Sequence, residues 1–288
     1  MINISGKTRI CGLIGDPVEH SISPAIHNAA FEECGLDFIY LPFHVPADLL
    51  EGAIKGMRAL GLRGLNVTMP HKVSVISYLD KVDMLAREIG AVNTIVNDGE
   101  VLTGYNTDAL GFLRSLEENS VQLRAMKVVL IGAGGVARAI GFALAKNGAD
   151  ITILNRKQEI SWAMELAGKI ERAFYRPTRA MELNDENLAE AVGNSQILVN
   201  ATSVGMVPGI NETPVNKKWL REDLIVYDVV YNPSETLLLK EARQTGAKTI
   251  GGLDMLVWQA AMAFEMWTGQ TPPVELMKRV AKTAMGVQ

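Results

Sequence analysis

The chain has 288 residues, of which 48% are hydrophobic and 21% charged, and its net charge is −4. This composition is typical of a globular protein with one large domain or two smaller ones. The negative charge and the lack of a basic stripe argue against nucleic acid as the main partner. Its most apolar run, 255–267, is interrupted by Gln259 and Glu265 and is too short to span a membrane. Two cysteines without metal-type spacing, and an N-terminus unlike a signal peptide, lead us to expect a cytoplasmic protein with reduced thiols.

Strands and helices alternate along the first part of the chain. Periodicity and turn residues predict strands at 9–14, 38–45, 64–68, 94–97 and 101–104, and helices at 23–34, 48–60, 73–79 and 84–89. Ser23 is predicted to be the N-cap of its helix, with Pro24 at the first helical position. Asp98-Gly99 predicts a hairpin between the last two strands. The alternation indicates an independent α/β domain of about a hundred residues.

A second α/β series follows. We predict strands at 127–131, 150–154, 196–200, 224–230 and 248–250, and helices at 107–118, from 136 onwards, and at 159–174, 185–192, 235–245, 253–268 and 274–285. The segment 172–184 is left undecided.

A glycine-rich turn joins the strand at 127–131 to the next helix. Gly132, Gly134 and Ala137 occupy the three marked positions of the G-x-G-x-x-G/A fingerprint. The first glycine allows a tight turn, the second lets the backbone approach a pyrophosphate, and the small third residue lets the helix pack on its strand. The helix N-terminus then faces the phosphates. A glycine turn alone could serve only a chain reversal, but the strand-helix-strand context predicts a dinucleotide site made by Gly132, Ala133, Gly134, Gly135, Val136 and Ala137.

The end of the following strand selects the dinucleotide. An acidic residue there would accept the ribose 2′-OH of NAD, whereas a cation accommodates the 2′-phosphate of NADP. This chain has Asn155, Arg156 and Lys157 at that point, and Glu159 is the nearest acid. A solvated basic turn is the alternative explanation. We expect NADP, because a guanidinium fork suits phosphate oxygens.

Polar residues cluster at the strand ends of the first domain, in segments 20–23, 66–72, 90–94 and 104–108. α/β folds bind ligands outside the carboxyl ends of parallel strands. Lys72 and Asp108 form the only obvious acid/base pair among these segments. Each residue alone has a structural explanation: Ser23 and Asp108 as helix caps, Asn93 as a turn residue. Their joint appearance is what indicates a site.

Read together, these segments resemble the shikimate dehydrogenase family, including its quinate/shikimate branch. The resemblance covers nearly the whole chain and rests on segments 15–17, 20–24, 27–28, 66–68, 70–72, 90–94, 104–108, the glycine turn, 155–156, 200–206, 231–233 and 252–259. It implies two α/β domains, an N-terminal substrate domain and a Rossmann-like dinucleotide-binding domain, with a cleft between them. The substrate domain would comprise 1–108 with 253–288, and the NADP domain 109–252.

The same resemblance implies a role for individual residues. Lys72 and Asp108 match the catalytic pair. Ser21 and Ser23 would hold the substrate carboxylate. The residues that would hydrogen-bond the ring hydroxyls are Asn66, Thr68, Asn93 and Gln259. Tyr231 would line the same cleft. The nicotinamide would lie beside Thr202, Ser203, Met206 and Gly252.

The implied activity is NADP-dependent reduction of 3-dehydroshikimate to shikimate. An NAD(P)-dependent quinate/shikimate dehydrogenase is the alternative enzyme, and a metabolite sensor on the same fold is the alternative outside enzymes. The phosphate clamp departs from the family pattern, since Lys157 replaces a threonine and Ile160 stands where a second arginine is expected. We expect no metal, since the four histidines lie on separate elements and hydride transfer needs none. A homodimer is left open.

Overall fold

The computed structural model describes residues 4–99 and 101–286. The strands are β1 (Arg9–Gly15), β2 (Phe38–His44), β3 (Gly64–Val67), β4 (Lys81–Val82), β5 (Thr94–Asp98), β6 (Val101–Tyr105), β7 (Lys127–Ile131), β8 (Asp150–Asn155), β9 (Thr178–Glu182), β10 (Ile197–Asn200), β11 (Ile225–Asp228) and β12 (Lys248–Ile250). The helices are α1 (Ser23–Glu33), α2 (Leu50–Ala59), α3 (Met84–Ile89), α4 (Asp108–Glu118), α5 (Gly135–Lys146), α6 (Ile160–Phe174), α7 (Asp185–Gly193), α8 (Leu237–Gln244), α9 (Leu253–Thr268) and α10 (Val274–Ala284).

The chain forms two compact units. Unit 1 runs to Gly111 and resumes at Val257, and unit 2 is Phe112–Leu256. The unit boundaries therefore fall within α4 and α9. Unit 1 is discontinuous in sequence, because the last two helices return to it.

Unit 1 is built on a mixed sheet with the strand order β2-β1-β3-β5-β6-β4. β1 is parallel to β2 and β3, whereas β5 is antiparallel to β3 and to β6. The predicted hairpin of β5 and β6 is thus confirmed. Buried side chains of the strands, such as Leu65 and Ile95, pack against Ile54 and Met57 of α2. This burial stabilises the sheet by removing apolar surface from water.

One close contact fixes α9 to the sheet of unit 1. The Trp267 indole lies against the backbone of Gly64 in β3, where an added Cβ would overlap the ring. Its Nε1–H donates to the Ile95 carbonyl at 3.0 Å, so the buried ring has a partner for its polar atom. Position 64 must therefore be glycine, because any side chain there would collide with the indole.

Unit 2 contains a fully parallel sheet with the order β12-β11-β10-β7-β8-β9. Numbered from its own first strand, this is the 3-2-1-4-5-6 order of doubly wound dinucleotide-binding folds. The order reverses between β7 and β10, and ligands bind at such a switch point. The predicted β7–α5–β8 unit is confirmed, and the structure places it at the centre of the sheet.

Several predicted elements differ from the structure. The segment 73–79 is a 3₁₀ turn at Ser74–Tyr78, and residues 47–49 form another ahead of α2. The two-residue strand β4 was not predicted, and the undecided segment contains β9. Ser23 is not an N-cap: α1 begins at Ser23 itself and Ile22 is the cap residue. In the part of the chain that the structure describes, no helix is long and apolar enough to cross a membrane.

Candidate active site

The polar segments of unit 1 converge because of the sheet topology. β1 and β3 run parallel, with Ile14 beside Val67, so the segments that follow them leave at the same edge. β5 runs the other way and places Thr94 opposite Asn66. β6 runs back again and brings Tyr105 opposite Thr94. Four segments that are distant in sequence therefore meet at one edge of the sheet.

Lys72 lies in the turn after β3, and this turn is anchored on both sides. The buried His71 side chain donates from Nε2 to the Val45 carbonyl at 2.6 Å, and this contact fixes the loop. The Lys72 carbonyl accepts the Val92 N–H at 2.7 Å. The lysine Nζ reaches Asp108 Oδ2 at 2.7 Å, with only 12% of the Lys72 side chain and 7% of the Asp108 side chain exposed. The predicted pair is a nearly buried ion pair.

The orientation of Asp108 is set by amide side chains. Asn93 Nδ2 donates to Asp108 Oδ1 at 2.9 Å, so each carboxylate oxygen has its own donor. Asp108 is the first residue of α4, where the helix dipole favours a negative charge. The free N–H of Ala109 is instead accepted by Asn106 Oδ1 at 3.2 Å. The capping explanation therefore applies to Asn106, and the Asp108 carboxylate faces the lysine.

Asn93 is the centre of this cluster. Its backbone joins two strands, because its N–H donates to Tyr105 and its carbonyl accepts from Val67. Its side-chain Oδ1 accepts the Thr107 N–H at 2.7 Å, and its Nδ2 lies 3.4 Å from Gln259 Oε1. The predicted residues Asn93, Gln259, Lys72 and Asp108 are thus brought together within one unit.

Asn66 belongs to the same buried cluster. Its Nδ2 donates to the Asn93 carbonyl at 3.2 Å and to Thr94 Oγ1 at 3.1 Å. Its Oδ1 accepts the Tyr40 hydroxyl at 2.8 Å. Both amide hydrogens are therefore committed to the protein, and the Asn66 side chain can meet a ligand only through its remaining oxygen lone pair.

Ser21, Ser23 and Thr68 lie at the same edge but in separate local structures. The Ser21 hydroxyl accepts the Ser23 N–H at 3.3 Å, in the turn between β1 and α1. Ser23 is buried, and Ser21 is half-buried. The Thr68 N–H continues the sheet by donating to Ile14 at 2.9 Å. Ser21 rather than Ser23 therefore uses its hydroxyl to accept a backbone hydrogen bond at the start of α1.

The glycine turn of unit 2 has the form that its motif predicts. Gly132 has a φ of +107°, and an added Cβ would lie 3.0 Å from the Ala201 oxygen, so both dihedral and space require glycine. Gly134 precedes α5, and a Cβ there would meet no protein atom within 4 Å. Ala137, in the first turn of α5, is fully buried. The first N–H groups of a helix have no partner within it, so this turn can hold a phosphate group.

The basic turn after β8 carries an acid as well as two cations. Arg156 Nη2 lies 2.6 Å from Glu159 Oε1, and its Nε donates to Oε2 at 3.1 Å. Asn155 Nδ2 donates to the Glu159 carbonyl at 2.8 Å. Lys157 opens the short 3₁₀ turn and is exposed. The three predicted residues therefore lie together, but the arginine is paired inside the turn.

The segment after β10 is shaped by Asn200. Its Oδ1 accepts from the Thr202 N–H at 3.1 Å and the Thr202 hydroxyl at 2.7 Å. Thr202 Cγ2 lies 3.0 Å from the position of a Cβ on Gly132, so this loop touches the glycine turn. Ser203 accepts the Met206 N–H at 3.1 Å, and Met206 is exposed. The strand order explains the meeting, since β7 and β10 are neighbours.

Asp228, at the end of β11, accepts a hydrogen bond from Asn200 and so supports the loop that contains Thr202. The fully buried carboxylate accepts from Asn200 Nδ2 at 2.9 Å, the Val230 N–H at 3.0 Å and the Thr236 hydroxyl at 2.7 Å. Burial raises the pKa of Asp228 to about 6, and the three hydrogen bonds oppose that rise. Sequence reasoning missed its role, because an acid at a strand end gives no sign of its partners.

The other two predicted residues of unit 2, Tyr231 and Gly252, follow β11 and β12 respectively. Burial raises the pKa of the Tyr231 phenol, which is half-buried. Gly252 lies against Val229, whose carbonyl an added Cβ would overlap. Among the described residues, no three His, Cys, Asp or Glu side chains come together as a metal site would require.

These features define a class of protein. A doubly wound sheet with a glycine turn at its switch point is a dinucleotide-binding domain. A nearly buried Lys–Asp pair beside amide groups is typical of an enzyme that stabilises developing charge and transfers a proton. The class is a dinucleotide-dependent α/β enzyme.

Comparison with known proteins identifies the family. Residues 13–95 match the family model described as the shikimate dehydrogenase substrate binding domain, 115–223 that of shikimate / quinate 5-dehydrogenase, and 252–282 that of the shikimate 5′-dehydrogenase C-terminal domain. The NADP⁺ shikimate dehydrogenase of Moorella thermoacetica is 47% identical over 287 residues, which cover 99% of this chain and 97% of the relative. The chain belongs to the shikimate dehydrogenase family.

Solved structures of similar proteins agree with this assignment. A shikimate dehydrogenase crystallised with NADP⁺ is 43% identical, with a TM-score of 0.91 over 98% of each chain. Shikimate 5-dehydrogenase from Listeria monocytogenes, in complex with shikimate and NAD, is 42% identical, with a TM-score of 0.89 over 97% of this chain and 98% of that one. The predicted family and α/β fold class are confirmed.

Proposed function

We propose that the protein catalyses the reversible, NADP-dependent reduction of 3-dehydroshikimate to shikimate, on the route to the aromatic amino acids. The observation that carries this proposal is the Lys72–Asp108 ion pair, nearly buried among amide side chains at one edge of the unit 1 sheet. Membership of the family and the activity named for the relative from Moorella thermoacetica support it.

Unit 2 would hold the dinucleotide. The turn Gly132–Ala137 and the N-terminus of α5 suit the pyrophosphate, because backbone N–H groups there have no helical partner. Arg156 and Lys157 would take the 2′-phosphate. Thr202, Ser203, Met206 and Gly252 would line the nicotinamide. When bound, NADPH supplies the hydride that the substrate's keto carbon accepts.

Lys72 would act on the oxygen of the reacting carbonyl. Negative charge grows on this oxygen during reduction, and a nearby ammonium stabilises that charge and can supply a proton. Asp108 holds the ammonium through Oδ2 while Asn93 fixes Oδ1, so the lysine is oriented before substrate arrives. Either member of the pair could complete the proton transfer.

Substrate recognition would fall to the polar residues around this pair. Ser21 and Ser23 would hold the carboxylate, and Thr68, Asn93 and Gln259 would bind the ring hydroxyls. Tyr231 would also contact the substrate, as the family resemblance implies. Asn66 would act as an acceptor only, since its amide hydrogens already bond to Asn93 and Thr94. Buried amide groups discriminate strongly, because a substrate without the matching hydroxyl leaves them unpaired. The only partners in this proposal are the small-molecule substrate and NADP. Analytical ultracentrifugation would measure whether two copies of the chain associate.

The test combines substrate choice with one substitution. Initial rates would be measured for shikimate and quinate, each with NADP and with NAD. We expect shikimate with NADP to be the preferred pair. Faster turnover of quinate with NAD would favour the quinate/shikimate branch, and binding without turnover would favour a sensor.

Lys72→Met is the decisive variant. If Lys72 stabilises charge that exists only in the transition state, kcat and kcat/KM should fall together by about 10²–10⁴-fold while shikimate affinity changes little. Lys55→Met, on the exposed face of α2, is the matched control and should keep wild-type rates. Wild-type turnover by a folded Lys72→Met protein would remove Lys72 from the mechanism. Equal losses of binding and turnover would instead make Lys72 a substrate-holding residue.

A further inference from the structure

The ion pair between Arg156 and Glu159 occupies the turn that would receive the 2′-phosphate. Arg156 uses two different nitrogens on two carboxylate oxygens, at 2.6 Å and 3.1 Å. Parallel contacts of this kind satisfy the fork that makes arginine a good phosphate ligand. The carboxylate therefore already fills the binding geometry that a phosphate would need.

Glu159 is held in this position by its backbone. Its N–H donates to the Arg156 carbonyl at 2.9 Å, and its own carbonyl accepts from Asn155 Nδ2 at 2.8 Å. Only 25% of the Glu159 side chain is exposed, against 68% for Arg156. The acid is thus the fixed partner, and the arginine is the one that can turn away.

We propose that Glu159 is a specificity-determining residue that competes with the 2′-phosphate of NADP for the Arg156 guanidinium. This inference rests on the proposed function, in which Arg156 binds that phosphate. NADP must either displace the carboxylate or share the arginine with it. NAD lacks the phosphate, so it leaves the pair intact.

Two physical effects act in the same direction. The exposed ion pair has to be broken or weakened when NADP binds, and the negative carboxylate repels a phosphate that carries up to two negative charges. Exposed pairs are individually weak, and solvent screens the repulsion. Glu159 should therefore weaken NADP binding moderately, without abolishing the preference for NADP.

The neighbouring sequence explains why this competition matters. Ile160 supplies no charge at the position after Glu159, so Arg156 and Lys157 are the cations of this turn. Arg156 and Lys157 contribute two positive charges and Glu159 one negative charge, so the turn has a net charge of +1 before NADP arrives. The acid thus lowers the selectivity that the basic pair would otherwise provide.

The experiment removes the charge of Glu159 and keeps its shape. Dissociation constants for NADP and NAD would be measured by calorimetry on the full-length protein carrying Glu159→Gln. We expect NADP to bind about three- to tenfold more tightly and NAD to change by less than about twofold. Glu190→Gln is the matched control, because Glu190 pairs with Arg179 on the exposed surface of the same unit. It should leave both constants unchanged.

Two further variants separate this inference from the proposed function. Arg156→Ala should weaken NADP binding by about ten- to a hundredfold, since it removes a charged contact to the phosphate. In an Arg156→Ala background, Glu159→Gln should improve NADP binding by less than in the wild type, because only the direct repulsion remains.

The outcomes are distinct. If Arg156→Ala weakens NADP but Glu159→Gln does not tighten it, the competition is refuted while the proposed clamp stands. If Arg156→Ala has no effect on NADP, both the clamp and the competition fail. If Glu159→Gln weakens NAD and leaves NADP unchanged, Glu159 is a ligand of the ribose hydroxyl and the inference is overturned.

Discussion

Asp228 offers a quantitative test of the network beneath the Thr202 loop. The substitution Asp228→Asn keeps the shape of the side chain and removes its ability to ionise. The carboxylate is fully buried and accepts three hydrogen bonds, from Asn200, Val230 and Thr236. Asn can keep an acceptor for the first two donors, and its amide can donate to the Thr236 hydroxyl.

The magnitude follows from the pKa. Burial raises the pKa of Asp228 to about 6 in the folded protein, compared with about 3.9 in an unfolded chain. Between these values the folded state binds more protons than the unfolded state, so the free energy of unfolding falls as the pH rises. The stability from this group is fully present below about pH 4 and is lost above about pH 6, a change of about 3 kcal/mol.

The assay compares the variant with the wild type over this pH window. We expect the free energy of unfolding of Asp228→Asn, minus that of the wild type, to become more positive by up to about 3 kcal/mol between pH 4 and pH 7. Amide hydrogen exchange at Val226 and Tyr227 would report unfolding of the unit 2 sheet itself. The ¹³C carboxyl resonance of Asp228 would give the titration midpoint directly.

One result would refute this reasoning. In this result, the difference in the free energy of unfolding between variant and wild type would not depend on pH, and the Asp228 carboxyl would titrate near pH 4. The three hydrogen bonds would then fully offset the cost of burying the carboxylate. Asp223→Asn is the control, because Asp223 is an exposed acid in the same unit and pairs with Arg221. Its substitution should produce no comparable slope.

Two further predictions concern unit 1. Ser21→Ala and Ser23→Ala should each raise the KM for shikimate, and Ser23→Ala should cost less than about 0.5 kcal/mol of stability, because Ser23 is not the N-cap of α1. Urea unfolding beside KM would test this, and a destabilised Ser23→Ala protein with unchanged KM would contradict it. Gly64→Ala should destabilise unit 1 by about 1–3 kcal/mol, because the new methyl group would overlap the Trp267 indole. An unchanged melting temperature would show that α9 can shift without cost.

Local sequence signals predicted much of the fold. The glycine turn, the strand before it and the helix after it are encoded within about fifteen residues, and the structure has them where the motif requires. The hairpin at Asp98-Gly99 is equally local. The helix predicted at 73–79 is present as a shorter 3₁₀ helix, Ser74–Tyr78, between β3 and β4 rather than as an α-helix.

The details of the site depend on contacts that no local pattern encodes. Tyr40 reaches Asn66 only because β2 and β3 flank β1, so a tyrosine in a strand gave no signal of its role. The N-cap at Ser23 was predicted from Ser-Pro, yet the Ser21 hydroxyl accepts the Ser23 N–H instead. The pairing of Arg156 with Glu159 required the 3₁₀ turn, whose geometry brings residues three apart onto one side.

Because unit 1 is discontinuous in sequence, its first part is synthesised before unit 2, but its core can be completed only after unit 2 has been synthesised. Unit 2 is one continuous stretch, Phe112–Leu256, and all of it is synthesised before α9 and α10 are complete. The earlier segment that contains Gly64 and Ile95 must wait for Trp267 to fill its core. A chain stopped at residue 256 would carry a complete unit 2 beside a first unit that also lacks Gln259. The cluster of Asn66, Asn93 and Gln259 is therefore complete only after residue 259 has been synthesised, later than the whole of unit 2.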